Sequence, residues 1–217
     1  MRLCAEQISF RYDIGSAKIL NQASLCMEHG ERVGLSAPSG FGKTTLCRIL
    51  AGYEQPDSGQ VLLDETPLSA WKGKRMPIQL LWQHPEQAVN PRRKMKQVLL
   101  EGGYRLKKKA GSDSMLWENT LLTRLGIRPD WLERYPQELS GGELQRFCIA
   151  RALGEGTRIL LADEITAMLD LITEKEIWQV ILKEAEEREI GILAVSHSER
   201  LLRRICTRTF GPESLRV

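Results

Sequence analysis

The stretch Ala37-Pro38-Ser39-Gly40-Phe41-Gly42-Lys43-Thr44-Thr45 decides how this chain is read. An apolar run, Val33-Gly34-Leu35, precedes it, and a helix-like run from Leu46 to Leu50 comes after it. Strand, glycine-rich turn, Lys-Thr and helix together form the layout of a phosphate-binding loop. Glycines let backbone N–H groups come close to phosphate oxygens. The helix N-terminus adds partial positive charge and unpaired donors. Lys43 has the reach for β- and γ-phosphates, and the Thr44 hydroxyl can ligate Mg²⁺. Ala37 departs from the usual pattern, which has glycine there; alanine is tolerable if its φ is negative. A surface loop that merely caps a helix would carry the same short string, so the rest of the chain has to choose.

The 217 residues suit one large domain with room for a small inserted subdomain. Hydrophobic content of 42% and charged content of 27% fit a soluble globular protein. No run approaches the roughly 20 apolar residues of a membrane helix. The first residues, Met1 to Glu6, lack a signal-peptide core, so the chain is expected to begin and stay in the cytosol. Cys4, Cys26, Cys47, Cys148 and Cys206 are scattered and odd in number. That favours buried reduced thiols over a metal site or a disulfide frame. A net charge of +3 gives no footprint for nucleic acid. Basic charge is local: residues 71–110 hold eleven Lys/Arg against two Glu. This reads as a solvated face, with a docking surface for an acidic partner or lipid headgroups as the alternative.

Taken in order, residues 1–12 alternate weakly as a first strand, with Ile8 and Phe10 on one face and Tyr12 at its end. Residues 13–18 form a turn and 19–27 a second strand; His29-Gly30-Glu31 turns into the strand before the glycine loop. The helix after Lys43 ends at Gly52, and Pro56 to Gly59 turns into a short strand from Gln60 to Asp64. Ile78 to Gln83 is a buried-strand candidate. Residues 84–138 carry charge and helical periodicity broken by Gly and Pro, the mark of an inserted helical subdomain. A helix opens at Leu139 to Gly142 and runs to about Leu153. Arg158 to Ala162 and Ile190 to Val195 are short apolar runs, as in fully buried parallel strands. Residues 173–189 form an amphipathic helix with Ile177, Ile181 and Ala185 inward. Strands alternating with helices imply an α/β core with a largely parallel sheet.

Ligands collect beyond the carboxyl ends of such strands. Strand 33–36 runs into the glycine loop, 78–82 ends at Gln83, 159–162 at Asp163-Glu164, and 192–195 at Ser196-His197. Asp163 suits a Mg²⁺ partner. Glu164 stands where a carboxylate can orient or deprotonate water. Gln83 is a candidate to hold that water or the metal, and His197 to contact a γ-phosphate. Each has a plainer explanation alone: a strand-end Asp-Glu as a turn cap, a lone His as structural. Their joint placement around one phosphate loop carries the weight.

The string Leu139-Ser140-Gly141-Gly142-Glu143-Leu144-Gln145-Arg146 resembles the signature motif of ATP-binding cassette (ABC) ATPases. A helix N-cap, with Ser140 capping and Glu143 completing a capping box, accounts for its local form but not for the two glycines. The likeness extends over about residues 3–200 and implies a role for each motif in turn. Tyr12 is similar to the aromatic residue that stacks on adenine. Residues 37–45 resemble Walker A, so Ser39, Gly40, Phe41, Gly42, Lys43, Thr44 and Thr45 would cradle the phosphates of ATP. Gln83 resembles the Q-loop, 159–163 Walker B, Glu164 the catalytic base, Thr166 to Asp170 the D-loop, and His197 the switch histidine. Thr44, Gln83 and Asp163 would hold Mg²⁺; Glu164, His197, Gln83 and Lys43 would serve catalysis. Ser140, Gly141, Gly142 and Asp170 would face the nucleotide of a second subunit. Ala37, Phe41, Ile165 for the common Pro and Ala167 for the common Ser depart from the pattern.

The family fold implied is a P-loop NTPase core with a mainly parallel sheet, an N-terminal antiparallel β subdomain and an inserted helical subdomain. Core segments would be 1–83 and 139–217, with about 84–138 inserted. Gln83-His84-Pro85 followed by Ala88-Val89-Asn90-Pro91-Arg92 is similar to the segment after the Q-loop in peptide and nickel importer ATPases. The extra C-terminal region of that subfamily is not present, and residues 206–217 look like a degenerate remnant of a final strand and turn. The resemblance therefore implies an ATP-hydrolysing subunit of an importer, peripheral on the cytoplasmic face of the membrane. Partners would be a second cassette, identical or related, transmembrane permease subunits and, indirectly, an extracytoplasmic substrate-binding protein. One alternative is a non-transport cassette. The 97 positions from Lys43 to Ser140 leave no room for the coiled coil of a DNA-repair type, and a single cassette speaks against a ribosome-acting one. An accessory to a soluble phosphonate-metabolism complex survives. The other alternative is a regulatory module of low turnover, which intact Glu164 and His197 oppose.

Overall fold

In a computed structural model, all residues are described except 14, 72–75, 105–106, 109–114, 117–119, 168 and 216–217. In chain order the strands and helices are β1 (Arg2–Phe10), β2 (Leu20–Glu28), β3 (Arg32–Leu35), α1 (Lys43–Leu50), β4 (Ser58–Leu63), β5 (Thr66–Pro67), β6 (Ile78–Leu81), α2 (Met95–Glu101), β7 (Lys107–Lys108), β8 (Met115–Leu116), α3 (Thr120–Arg124), α4 (Gly141–Ala152), β9 (Ile159–Asp163), α5 (Leu171–Arg188), β10 (Gly191–Val195), α6 (Glu199–Ile205) and β11 (Arg208–Phe210). Two compact units result. The first comprises Met1–Leu80, Thr157–Glu164 and Ala185–Val217; the second, Leu81–Gly156 and Ile165–Glu184. Among the described residues no helix is long and apolar enough to cross a membrane.

The first unit holds two sheets. One is five-stranded in the order β11-β3-β10-β9-β6, and the pairs β11–β3, β3–β10 and β10–β9 all run parallel. Every residue of β9 and β10 is buried, the pattern expected of central strands covered on both faces. Each fully buried Leu or Ile there contributes about 1.5–3 kcal/mol relative to exposure. The other sheet, β2-β1-β4-β5, is antiparallel. Its register shifts between Ala5 and Ile8, next to Gln7 at φ 50°. The bulge lets Leu3 and Ala5 before it and Ile8 and Phe10 after it all remain buried.

The second unit is built around α4. Phe147 and Ile149 are fully buried there, and α2 packs on it through Met95, Val98 and Leu99. Tyr104 donates its hydroxyl to the Ala150 carbonyl at 2.8 Å. The Arg146 guanidinium donates to the Leu125 carbonyl at 2.6 Å. On α5, Ile177 and Ile181 are inward, and buried Glu184 takes a 2.7 Å ion pair from Arg124.

Several sequence expectations change. Ser58 and Gly59 belong to β4 rather than to a turn, and β6 stops at Leu81. Within 84–138 the described helices are short, seven residues in α2 and five in α3, with one 3₁₀ turn beginning at Pro85 before α2 and two beginning at Pro129 and Pro136 after α3. Gly102 ends α2 and Gly126 lies two positions beyond α3, and glycine is a poor helix former, which fits the brevity. The C-terminal segment is no remnant: β11 is a sheet strand, and the Ser36 N–H donates to the Phe210 carbonyl. Cys4 and Cys26 are joined in a disulfide, contrary to the expectation of reduced thiols throughout. Their 22-residue separation gave no hint; the antiparallel register brings them opposite one another. Within 71–110, Arg93 pairs with Glu101, and Lys94 and Lys96 share Glu133. That neutralises much of the described part of the basic stretch; residues 72–75, 105–106 and 109–110 fall outside the described set.

Gly154 carries a packing requirement. A Cβ there would lie 2.0 Å from the Gly102 carbonyl oxygen and 2.8 Å from Gly102 Cα, backbone atoms that cannot step aside. Gly154→Ala is expected to destabilise the protein by about 1–3 kcal/mol, read as a lowered midpoint in thermal melting.

Candidate active site

Three buried strands of the first unit end side by side. β3 runs into the glycine loop, β9 ends at Asp163 with Glu164 next, and β10 is followed by Ser196 and His197. The loop closes on itself through Lys43. Its side chain is only 5% exposed, and Nζ donates to the Ala37 carbonyl at 2.7 Å and the Pro38 carbonyl at 3.0 Å. Ala37 is buried and is not among the positive-φ residues, so the alanine fits. Gly42, at φ 77°, is the N-cap of α1, and a Cβ there would meet Leu20 at 2.8 Å and Ile19 at 3.0 Å. Glycine is required at that point for both conformation and space.

Around Lys43 stand two carboxylates. Glu164 Oε1 lies 3.9 Å from Lys43 Nζ and 2.7 Å from His197 Nε2. A carboxylate accepts, so Nε2 is the donor in that contact. The same nitrogen is 3.4 Å from Ser39 Oγ. Glu164 has φ 50°, a conformation that non-glycine residues seldom adopt. Strain of this kind tends to sit at functional positions. Burial pulls the Lys43 ammonium below the usual lysine range, and the Glu164 and Asp163 charges oppose that shift. Burial pushes the Asp163 carboxyl above the usual range, a hydrogen bond from Thr44 opposes this, and the Glu164 charge adds to it.

Asp163 also tests whether a cation suits the site. Its Oδ1 is buried with no hydrogen-bond partner, and an orphaned buried carboxylate oxygen is costly unless something compensates it. A divalent cation is such a group, and the exposed Thr44 hydroxyl is at hand on the other carboxylate contact. The residues fit Mg²⁺.

Tyr12 is 49% exposed, edge-on to Phe10 at 5.0 Å, and its hydroxyl lies 3.2 Å from Thr45 Oγ1. It therefore stands beside α1 with an open ring face. Thr45 is buried and its hydroxyl is engaged with Tyr12. Gly40 and Phe41 lie in the exposed and half-buried parts of the loop.

The other sequence-predicted site residues belong to the second unit. Gln83 is half-buried, two positions beyond β6. Ser140 caps α4: its Oγ accepts from the Glu143 N–H at 3.3 Å, while Glu143 Oε2 accepts from the Ser140 N–H at 2.8 Å. A Cβ placed on Gly141 would meet nothing within 4 Å, and one on Gly142 would meet only Leu169 at 3.7 Å. Asp170 caps α5, accepting from the N–H groups of Ile172 and Thr173 and from the Thr173 hydroxyl. Met168 is outside the described residues. Sequence reasoning missed the contacts that support the 165–170 segment. Thr166 donates to Glu174 at 2.9 Å and accepts from buried Trp178 at 3.3 Å, and Gln145 donates to the Ile165 carbonyl at 3.3 Å. Only a Trp-and-Glu spacing on α5 hinted at it.

Comparison with known proteins finds relatives of this chain. The family model described as ABC transporter matches residues 20–167. The nickel import ATP-binding protein NikE of Rhodospirillum rubrum is 34% identical over 195 residues, covering 88% of this chain and 70% of that one. Among solved structures, the dimeric bacterial ABC transporter cassette MJ0796 aligns with a TM-score of 0.79 at 25% identity, over 96% of this chain and 93% of that one. A post-hydrolysis dimer of the same cassette with ADP and Pi gives 0.79 at 26% identity, with the same coverage.

The Asp163 shift has a stability consequence. A carboxyl raised in the folded state is uncharged more readily there than in the unfolded chain. Its charge therefore opposes folding at pH values above the unfolded pKa, and this penalty vanishes as pH falls below it. Asp163→Asn, which keeps the shape and removes the charge, is expected to raise the melting temperature at pH 7 by about 2–4 °C per kcal/mol relieved. Near pH 3 the difference from wild type is expected to disappear. Equal melting of the two proteins at pH 7 would show that the carboxylate is not penalised.

Proposed function

The chain belongs to the ABC transporter family, and from that premise we propose that it is the ATP-binding and ATP-hydrolysing subunit of an importer for nickel, metal chelates or short peptides. The nickel-import relative and the segment Gln83 to Arg92 support this cargo class. Selection of the cargo itself belongs to other subunits. In this reading the chain acts at the inner membrane face, attached there through permease partners.

ATP lies on the loop 37–45, with adenine on the Tyr12 ring. Lys43 and the amides at the start of α1 hold the β- and γ-phosphates. Mg²⁺, when bound, neutralises charge on those phosphates, and Thr44 and Asp163 would hold it. Glu164 accepts a proton from the water that attacks the γ-phosphorus in line, and the ADP oxygen leaves opposite. His197, in contact with Glu164 and Ser39, orients the base and senses the γ-phosphate. Gln83 keeps its coupling and metal role on sequence alone.

One observation carries the second half of the site. Gly141 and Gly142 are not required by this chain's own packing, since side-chain space is open at both. Close approach by something outside the chain explains them: the terminal phosphate held by a second cassette, at the start of α4. Leu171 and Ile172, 83% and 73% exposed beside Asp170, are apolar surface that the same partner would cover.

Gly141→Ala separates the two roles. It is expected to leave stability unchanged or raise it by up to about 1 kcal/mol, yet to lower ATP turnover, measured by phosphate release. Turnover equal to wild type would remove the signature glycines from the site. Glu164→Gln is expected to bind ATP, accumulate as a dimer on size exclusion and lose about 10²–10⁴-fold in turnover. Tyr12→Ala is expected to weaken ATP binding by about 1–3 kcal/mol in calorimetry. For the transport role, nickel accumulation in cells lacking the chain should be restored by wild type and not by Glu164→Gln. Restoration by both would make the chain's turnover irrelevant to uptake.

A further inference from the structure

Cys4 and Cys26 face one another directly in the β1–β2 register and are bonded. They share the face of the antiparallel sheet that points away from Leu3, Ala5, Leu25 and Met27, all of which lie in the core. Cys4 is nearly covered, but Cys26 is half-buried and borders two clefts. One, of about 720 Å³, is lined by Glu6, Ser24, Gln60 and Phe210. The other, of about 390 Å³, is lined by Arg2, Glu31 and Arg208. Arg208 donates to the Cys26 carbonyl at 2.7 Å and is itself held by an ion pair with Glu31. A half-buried cysteine on the edge strand thus borders both clefts, in a rim of mixed charge where Arg2 and Arg208 stand with Glu28 and Glu31.

The remaining thiols are different. Cys47 and Cys148 are buried and Cys206 is half-buried. Burial pushes Cys148 up to about 11 and Cys206 up to about 12, and raises Cys47 as well. They stay protonated and are poor nucleophiles.

We propose that Cys4 and Cys26 form a reversible thiol–disulfide site that exchanges with low-molecular-weight disulfides. In the reduced pair, the Cys26 thiolate attacks one sulfur of a small disulfide, RSSR, forming a mixed disulfide and releasing one RS⁻. The Cys4 thiolate then attacks Cys26 Sγ and releases the second RS⁻. The two protein thiols give up two electrons and their two protons; the small disulfide takes both and leaves as two RSH. The adjacent register makes the second step intramolecular, which favours it over a persistent adduct. A pair that opens and closes in this way is the form a disulfide takes where thiol pools are reducing. The bond straps together β1 and β2, the two strands that flank Tyr12 in the chain.

The test is a titration of reduced wild-type protein with oxidised glutathione, followed by alkylation under denaturing conditions and mass spectrometry. The expected result is loss of two of the five alkylatable thiols, Cys4 and Cys26. The two should be recovered in one cross-linked peptide lighter by two hydrogens. Dithiothreitol added to the folded protein should restore both. In Cys4→Ser the glutathione adduct should persist on Cys26, because nothing resolves it. Four results would each overturn the proposal: five alkylatable thiols at every ratio, a stable adduct on wild-type Cys26, a bond that dithiothreitol cannot open without denaturation, or equal oxidation of Cys47, Cys148 and Cys206. The wild-type titration decides the matter even if the variant does not fold.

Discussion

A lysine ammonium with about 5% of its side chain exposed is the charge around which the first unit is arranged. Taking that charge out of water is costly, and it is tolerated because partners meet it on two sides. The Ala37 and Pro38 carbonyls accept hydrogen bonds from it directly, and Glu164 stands 3.9 Å away. Those partners come from different strands, so the parallel register of β3, β10 and β9 has to be correct before the lysine can be satisfied. The site and the fold are therefore one constraint. Loss of the β9 register would leave a buried cation without its counter-charges.

The two carboxylates behind Lys43 have been separated by environment. Asp163 is the last residue of a fully buried strand, and its surroundings favour the neutral form and leave one oxygen unpartnered. Glu164, one residue later, has turned out of the strand at φ 50° and reaches His197 and Lys43. Adjacent residues of one type of chemistry thus occupy unlike positions. One suits a cation that would repay its desolvation, and the other, in reach of His197 and Lys43, suits proton transfer. The backbone conformation at Glu164 produces the difference, since a continuing strand would have pointed its side chain to the opposite face.

Much of this was legible in the chain itself. Val33 to Leu35, Ile159 to Ala162 and Ile192 to Val195 read as buried strands because each is an unbroken apolar run bounded by polar residues. The residues just after each run then fall at one sheet edge by topology alone. Other features depended on partners that no local pattern encodes. The β11 strand exposes Arg208 and Thr209, so it has little apolar signal, and it forms because β3 offers it an edge. The Cys4–Cys26 pairing depends on cross-strand register, which a bulge near Gln7 resets a few residues later. The charge of 71–110 could be counted but not balanced, because Glu133 lies outside that window. The left-handed backbone at Glu164, whose N–H donates to the Val195 carbonyl at the end of β10, likewise has no local sequence signal.

Glycines separate what the chain needs for itself from what it holds for another molecule. At Gly42 the reason is internal: Leu20 and Ile19 fill the space a side chain would take, and φ is positive. At Gly154 it is internal too, since the Gly102 backbone is in the way. At Gly141 and Gly142 neither reason applies. They open α4, where alanine would be the better helix former, and Ser140 and Glu143 satisfy only each other's backbone N–H groups. A sequence that accepts a small loss of helix stability at two successive positions, with no crowding to relieve, fits the proposed approach of a second molecule. The start of a helix with bare backbone N–H groups is a surface suited to an anion. On the proposed reading, a phosphate held on the glycine loop of the first unit would be the complementary ligand. Two copies, or two cousins, placed so that each supplies what the other lacks would account for both halves of the sequence at once.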